Sequence, residues 1–243
     1  WLPHIHVDFH EQGIDEPYYF APAAEPLHEQ ITNWQREFQI EIGDNHAKYF
    51  DKNGWLYFTK ETFDLLYPSY GDTYPTFLGA IGMTYEQAGG GDAGLGVLNS
   101  ENEVVSLIDR INHHTTTGLS TVEISSINAR RLNIEFKEFF KSNNNSKISY
   151  VLKGNKDKIK SLTNLLDQHE IIYGYSESKN QVKGYNYSAN KEIKIDIDKN
   201  DLIISANQPK GKLVEILFEQ KTKLSDPLTY DITAWSLPYA YGL

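Results

Sequence analysis

The sequence predicts an α/β protein in two parts, a larger one over residues 1–141 and a smaller α/β module over residues 148–243. Strand-like apolar runs alternate along the chain with segments whose apolar residues recur at helical spacing. A length of 243 residues is sufficient for one large domain or two modest ones. Between the two parts lies "KSNNNSK" at residues 141–147, and we place the domain boundary there because clustered Asn and Ser favour turns.

The first part is predicted to begin with a strand over residues 5–9, followed by a Pro-rich loop. A helix is predicted next because its apolar residues recur every three or four positions, and Gly43 is predicted to end it. The apolar run "GAIGMTYEQ" at residues 79–87 predicts a second, buried strand. A helix is expected over residues 103–121 and another through Phe140. The apolar residues of the first helix are Leu27, Ile31, Trp34, Phe38 and Ile42.

The second part repeats the alternation of strands and helices on a smaller scale. Its apolar runs are short and are separated by polar turns, which is typical of a small α/β module. Strands are predicted at "KISYVLKG" (147–154), "IIYGYS" (171–176), "EIKIDI" (192–197) and "DLIISA" (201–206), and helices over residues 157–169 and at "KGKLVEILFEQ" (210–220).

Charge and composition limit the classes of partner and of metal site. The net charge of -10 argues against nucleic acid or an anionic membrane as the main partner. There is no cysteine, so a metal would be held by His, Asp or Glu. No apolar run approaches the ~20 residues that a membrane span needs. The sequence enters a strand directly and shows no leader, so we expect it to be a fragment of a longer protein.

The stretch "HVDFHEQG" at residues 6–13 carries the first candidate site. Residues two apart on a strand share a face, which groups His4, His6, Asp8 and His10. At ~3.3 Å per residue this face is too long for one ion to reach both ends, so further ligands would come from elsewhere. Alternation alone explains His4 and His6, and His10 is either a ligand or a satisfied histidine at a strand end.

A second histidine pair, His113 and His114, falls within a predicted helix. Adjacent residues on a helix diverge by ~100° and cannot share an ion. We therefore expect one of these side chains at the surface and the other in the core.

Residues Asp8 to Gln12, "DFHEQ", followed later by "GAIGMTYEQAG", resemble the C-terminal part of a carboxypeptidase A-like (M14) zinc carboxypeptidase. The resemblance covers about residues 1–125 and also includes "EPYYFAPAAEP" and "YPSYGDTYP". It implies a partial zinc-carboxypeptidase-like fold, in which helices flank a mixed sheet. Residues 148–243 resemble the α/β module appended to large bacterial members, and we assign no role to this module.

The resemblance implies a role for each matching residue. His10 corresponds to the later zinc ligand of the family, and Glu86 in "TYEQ" corresponds to its catalytic glutamate. Such a carboxylate takes a proton from the metal-bound water and delivers it to the leaving amine. Tyr67 corresponds best to the mobile tyrosine, and Asp8 or a backbone carbonyl is expected to hold the other ring nitrogen of His10. The resemblance implies that Glu11, Tyr70 and Tyr74 contact the substrate. Tyr70 and Tyr74 are also alternatives to Tyr67 as the mobile tyrosine.

Two motifs of the family are missing from this sequence. There is no His-x-x-Glu, and no Asn-Arg pair precedes Asp8. The resemblance implies that both lie upstream of Trp1, in an N-terminal part of the same protein that carries two further Zn²⁺ ligands. The chain alone is then expected to bind zinc weakly and hydrolyse nothing, whereas the complete enzyme would cleave peptides, by resemblance in the periplasm or outside the cell. The alternative is a non-catalytic protein that binds peptides or glycans on a peptidase-like fold.

Overall fold

The computed structural model of the chain describes residues 1–92, 94–142, 146–230 and 234–243. It is a mixed α/β structure with two compact units. The first comprises residues 1–138 and 223–233, and the second comprises residues 139–222 and 234–243. Residues 143–145 of the predicted boundary segment lie outside the described residues, so the division at 141–147 stays a prediction.

A mixed four-stranded sheet forms the centre of the first unit, in the order β1-β6-β2-β4. The strands of this unit are β1 (Ile5–Gln12), β2 (Tyr18–Tyr19), β3 (Ala24–Leu27), β4 (Tyr57–Phe58), β5 (Asp64–Leu65), β6 (Ile81–Ala88), β7 (Gly96–Leu98) and β8 (Val104–Ser106). Strands β1 and β6 are parallel, as are β2 and β4, whereas β2 and β6 are antiparallel. The pairs β3-β5 and β7-β8 form separate small sheets. The α/β class predicted from the sequence is confirmed.

The helices named up to the predicted boundary are α1 (Asn33–Asn53), α2 (Thr73–Thr76), α3 (Leu107–Ile127) and α4 (Ala129–Ser142). Helix α1 begins after Thr32, whose side chain and that of Gln35 cap each other's backbone N–H groups. It ends at Gly54, which adopts the left-handed conformation with φ of 67°. The prediction that Gly43 ends this helix is wrong, because α1 continues for ten further residues.

Gly43 allows a close contact inside α1. A Cβ atom at this position would collide with the carbonyl oxygen of Ala21, so glycine is needed there for packing. The hydrophobic core of the unit lies where α1 covers the buried strand β6. Its central side chains include Phe38, Ile42, Phe50, Ile81, Met83 and Tyr85.

Helix α3 begins later and ends later than the predicted range of 103–121. Ser106 and Asp109 form a capping box that fixes its first turn, and the residues before it belong to the β7-β8 hairpin. The helix then continues to Ile127 and packs against α1 and β6. This packing brings its side chains to the C-terminal ends of β1 and β6.

The second unit contains a three-stranded antiparallel sheet in the order β10-β13-β9 and a β11-β12 hairpin. Its elements are β9 (Ser149–Leu152), α5 (Lys156–Gln168), β10 (Gly174–Tyr175), β11 (Asn180–Asn186), β12 (Lys191–Ile197), β13 (Leu202–Ser205), α6 (Gly211–Phe218) and α7 (Leu237–Tyr241). Strand β11 was not predicted, because "NQVKGYN" has too few apolar residues to give a strand signal. None of the helices described here is long and apolar enough to span a membrane.

Candidate functional site

His10 and Glu86 lie opposite each other at the C-terminal ends of two neighbouring parallel strands. The register of β1 and β6 pairs these two residues directly. Their side chains approach on the same face of the sheet, with 3.5 Å between His10 Nδ1 and Glu86 Oε1. The two residues that the family resemblance singles out therefore lie together at the ends of adjacent strands, whereas their chemical roles stay predictions.

Glu86 is a buried carboxyl group with an unusual protonation equilibrium. The residue is only 5% exposed, and burial raises its pKa from 4.5 to about 7. His10 opposes this shift, while the negative charges of Asp8 and Asp72 add to it. Its Oε2 atom is buried and has no hydrogen-bond partner among the described residues. Such a carboxyl group can exchange a proton near neutral pH, and one of its oxygens remains available to a water or a substrate.

His10 has an accessible imidazole ring between two carboxylates. Its side chain is 58% exposed, and its Nε2 atom lies 3.8 Å from Asp8 Oδ2. Asp8 is thus on the side of the ring predicted for the supporting group, but the distance corresponds to an ion pair and not to a hydrogen bond. The ring is accessible from solvent, as a ligand side chain would have to be.

Asp72 is an acidic neighbour of Glu86 that sequence reasoning did not identify. It is buried at the start of α2 and accepts hydrogen bonds from the hydroxyls of Thr84, at 2.8 Å, and Thr73, at 3.1 Å. Burial raises the pKa of Asp72 as well. Thr84 precedes Glu86 by two residues on β6, so the two side chains lie on the same face of the sheet. The hydrogen bond from Thr84 therefore holds Asp72 beside the candidate site. The polar cluster "GDT" before a short helix was the only available signal.

The loop that carries the predicted tyrosines packs against the candidate site. A Cβ atom at Gly71 would collide with the carboxylate of Asp8, so the backbone of this loop lies directly over that side chain. The rings of Tyr67 and Tyr70 pack edge to face, 5.1 Å apart, and the N–H of Tyr74 donates to the carbonyl of Tyr70. Tyr67 and Tyr70 lie in the turn before α2 and Tyr74 in α2 itself, and which of them would reach a substrate stays a prediction.

Glu11 differs from the expectation of a free substrate contact. Its Oε1 atom lies 3.4 Å from Arg110 Nη1, whose side chain is almost fully buried. Arg110 Nη2 also donates to the carbonyl of Gly94, which links α3 to the Gly-rich segment after β6. The carboxylate of Glu11 is therefore already paired, although its side chain remains partly exposed. Its role in substrate binding stays a prediction.

Within the described ranges, no group of three or more His, Asp or Glu side chains is placed to hold a metal ion. His10 contributes one ring nitrogen as a potential ligand, and the orphaned Glu86 oxygen beside it suits a metal-bound water. The His4 ring stacks on Phe136 at 4.2 Å, so it acts as a packing group. The described residues of the site thus offer one potential ligand atom and one buried carboxyl group, fewer than the three protein ligands of a catalytic zinc.

The second unit contains a separate cavity of about 490 Å³ beside β9 and the β11-β12 hairpin. Its wall is largely apolar and includes Val151, Ile195 and Ile203. Two lysines at the cavity are already neutralised, Lys153 by Asp198 and Lys183 by Glu192. This cavity offers volume but no converging reactive groups comparable with those around Glu86.

The candidate site is therefore the end of β1 and β6, where an accessible imidazole, a buried carboxyl group and a structured tyrosine loop meet. Its function has to be argued from these residues, since no family model, no curated protein and no solved structure matches this chain.

Proposed function

We propose that this chain is a C-terminal portion of the catalytic domain of a zinc-dependent metallocarboxypeptidase, which removes C-terminal residues from peptides. The observation that carries the proposal is the pairing of Glu86 with His10 at 3.5 Å, combined with a Glu86 pKa of about 7. A carboxyl group with this pKa beside an exposed imidazole is suited to proton transfer next to a bound metal.

In this proposal His10 is one of three protein ligands of Zn²⁺. When bound, the ion lowers the pKa of a water molecule and polarises the scissile carbonyl group. The other two ligands come from a further part of the same protein, because the chain contains no His-x-x-Glu motif. Asp8 lies on the Nε2 side of the His10 ring, which leaves Nδ1 as the proposed ligand atom.

Glu86 is the proposed general base and acid. Near neutral pH the Glu86 carboxyl group is ionised in a substantial fraction of the molecules, and in these it can accept a proton from water. The protonated form can then return that proton to the leaving amine. Burial, with the charges of Asp8 and Asp72, raises the pKa of Glu86, so that the carboxylate can take up a proton from water near neutral pH and hold it until it is passed to the amine.

The tyrosine loop supplies the proposed hydrogen-bond donor to the substrate. Tyr67 is the preferred candidate, with Tyr70 in the same turn and Tyr74 in the following helix α2 as alternatives. The close packing of Gly71 on Asp8 supports this role because it anchors the loop beside the strand that carries His10.

The exposed side of the first unit supports the proposal that a further part of the protein covers it. Strand β1 is hydrogen-bonded to β6 alone among the strands described here, so its other edge is open. Phe9 at this edge is exposed, as are Leu119 and Val122 on α3. Parallel strands are normally buried on both sides, and exposed apolar patches usually mark a contact surface.

The proposal predicts that Glu86→Gln abolishes release of C-terminal residues by a longer polypeptide that carries the missing ligands, while zinc remains bound. Glutamine keeps the size of the side chain but cannot carry the proton. Peptide hydrolysis and zinc content should be measured together, with Glu101→Gln in an exposed turn as the matched control.

The isolated chain should bind zinc only at micromolar or weaker affinity in calorimetric titration, since two of three ligands are missing. Normal turnover of Glu86→Gln would contradict the assigned role. A longer polypeptide that binds peptide or glycan without zinc and without cleavage would favour the non-catalytic alternative.

A further inference from the structure

We propose that two adjacent histidines of α3, His113 and His114, are positioning residues that hold the C-terminal ends of β6 and β1. By fixing these ends, the pair sets the separation between the Glu86 carboxyl group and the His10 imidazole. The consequence for catalysis rests on the proposed function, whereas the effect on the two strands does not.

His114 acts on β1. Its ring contacts the edge of Phe9, the residue before His10, at 5.1 Å between centroids, and its Nδ1 atom lies 2.8 Å from the hydroxyl of Tyr18. Burial lowers the pKa of His114, and the nearby backbone of His10 opposes this shift. The end of β1 that carries the candidate ligand is therefore held by a side chain from another element. This contact matters because β1 has a strand neighbour on one side only among the described strands.

His113 acts on β6. Its Nδ1 atom lies 2.7 Å from Oε1 of Gln87, the residue directly after Glu86. Because an amide oxygen can only accept, His113 Nδ1 carries the proton in this contact. The His113 ring packs against Trp55 with 4.5 Å between the ring centroids, and the Gln87 side chain is buried. Packing therefore restrains both partners of this hydrogen bond.

The divergence of adjacent helical residues explains why the pair reaches both strands. Side chains one position apart point ~100° apart around a helix, and neighbouring strands lie ~4.8 Å apart. The expectation of one surface and one core histidine is wrong, because both are half-buried and each has a polar partner at the sheet. Thr117, one turn later, adds a 2.9 Å contact to Tyr18 and keeps α3 in register with the sheet.

Amide hydrogen exchange of this chain tests the proposal without any metal or activity. His114→Phe keeps an aromatic ring but removes the polar contact with Tyr18, and the amides of residues 9–12 should exchange about tenfold faster relative to those of residues 5–7. His113→Phe should have the same effect on residues 86–88 relative to residues 81–83. His113→Asn retains a side-chain N–H donor and should restore part of the protection.

Ser125→Ala is the matched control on α3. Ser125 donates to the carbonyl of Thr121 within the same helix, at 2.6 Å, so its loss should accelerate all strand amides in equal proportion. Should His114→Phe fail to fold, Tyr18→Phe removes the hydroxyl that contacts both His114 and Thr117, and it should give a smaller change that is largest at residues 9–12. Uniform acceleration, as in the control, or unchanged exchange at the strand ends would overturn the proposal.

Activity distinguishes this inference from the proposed function. In an active longer polypeptide, His114→Phe should lower kcat more than it raises KM, since it misplaces reacting groups and not the substrate. Normal turnover of Glu86→Gln would refute the catalytic assignment but leave the exchange result intact. If His114→Phe accelerated amide exchange only at residues 9–12 but left kcat unchanged, the catalytic consequence of the positioning would be refuted.

Discussion

Two buried ionisable side chains of the first unit, His46 and Glu86, differ in how completely their polar atoms are satisfied. Both ring nitrogens of His46 have partners, Tyr85 at 2.8 Å and Ser120 at 2.7 Å. By contrast, Glu86 Oε2 has none in the described part of the chain. Buried polar atoms are normally paired because desolvation is costly, so an unpaired one marks a position where a missing group or a reaction is expected.

His46 should make the free energy of unfolding of the chain decrease as the pH falls. Burial lowers its pKa from 6.5 to about 3, so the unfolded chain binds a proton that the folded chain excludes. Its contribution is fully present above pH 6.5 and is lost as the pH falls towards 3, by up to about 1.4 kcal/mol per pH unit.

Urea unfolding between pH 7 and pH 4 measures this effect. His46→Gln should be less stable than the original chain at pH 7, but its stability should fall less steeply as the pH decreases. Equal slopes for the two proteins would show that His46 is protonated in the folded state.

At the residue level, the sequence points to particular side chains only where a motif carries the information. "DFHEQ" and "TYEQ" led to His10 and Glu86, which the structure brings together, while their roles stay predictions. Asp72 was missed, because nothing in the local sequence says that its loop returns to β6 and bonds Thr84. Contacts between distant segments depend on the folded chain path, and one sequence does not reveal that path.

At the scale of elements, periodicity located the long helices and the buried strand β6, but it did not locate their ends. Strands β2 and β4 have two residues each, too few to show any alternation. The end of α1 was misplaced because glycine is a helix stop only where the chain needs a left-handed residue. Gly54 meets that need, with φ of 67°, whereas Gly43 is required for a close backbone approach.

The two glycines of α1 should respond differently to alanine. Gly43→Ala should destabilise the first unit by about 1–3 kcal/mol, since the new methyl group collides with the Ala21 carbonyl. Gly54→Ala is the matched control: a Cβ atom there meets no atom within 4 Å, and only the left-handed conformation costs about 1 kcal/mol. Chemical denaturation of both variants measures the difference. A milder effect at Gly43 than at Gly54 would mean that Ala21 moves away without cost.

At the scale of the whole molecule, the chain returns to its first unit near the C-terminus. Residues 223–233 belong to that unit, and in the described portion Tyr230 N–H donates to Asp64 at 2.7 Å while Ser225 bonds Glu25 at 2.6 Å. This return was not predicted, since the sequence suggested an uninterrupted module over 148–243. Short polar and apolar stretches such as "SDPLTY" give no sign of the unit to which they belong.

Limited proteolysis tests the predicted boundary at residues 141–147. A cut in this segment should yield two protected pieces that remain associated under native conditions, because residues 223–230 of the second piece are bound to the first unit. Denaturant should separate them on gel filtration. Rapid loss of both pieces after the first cut would contradict the proposed boundary.

The central claim is that Glu86 is a buried carboxyl group that exchanges its proton near neutral pH beside His10. The most direct measurement is a carbon-13 NMR titration of the Glu86 side-chain carboxyl group in this chain, with Glu86→Gln used to assign the signal. We expect a midpoint at about pH 7, since burial and the charges of Asp8 and Asp72 raise the pKa. A midpoint near 4.5, the ordinary value, would contradict the claim and remove the basis for Glu86 as a general base.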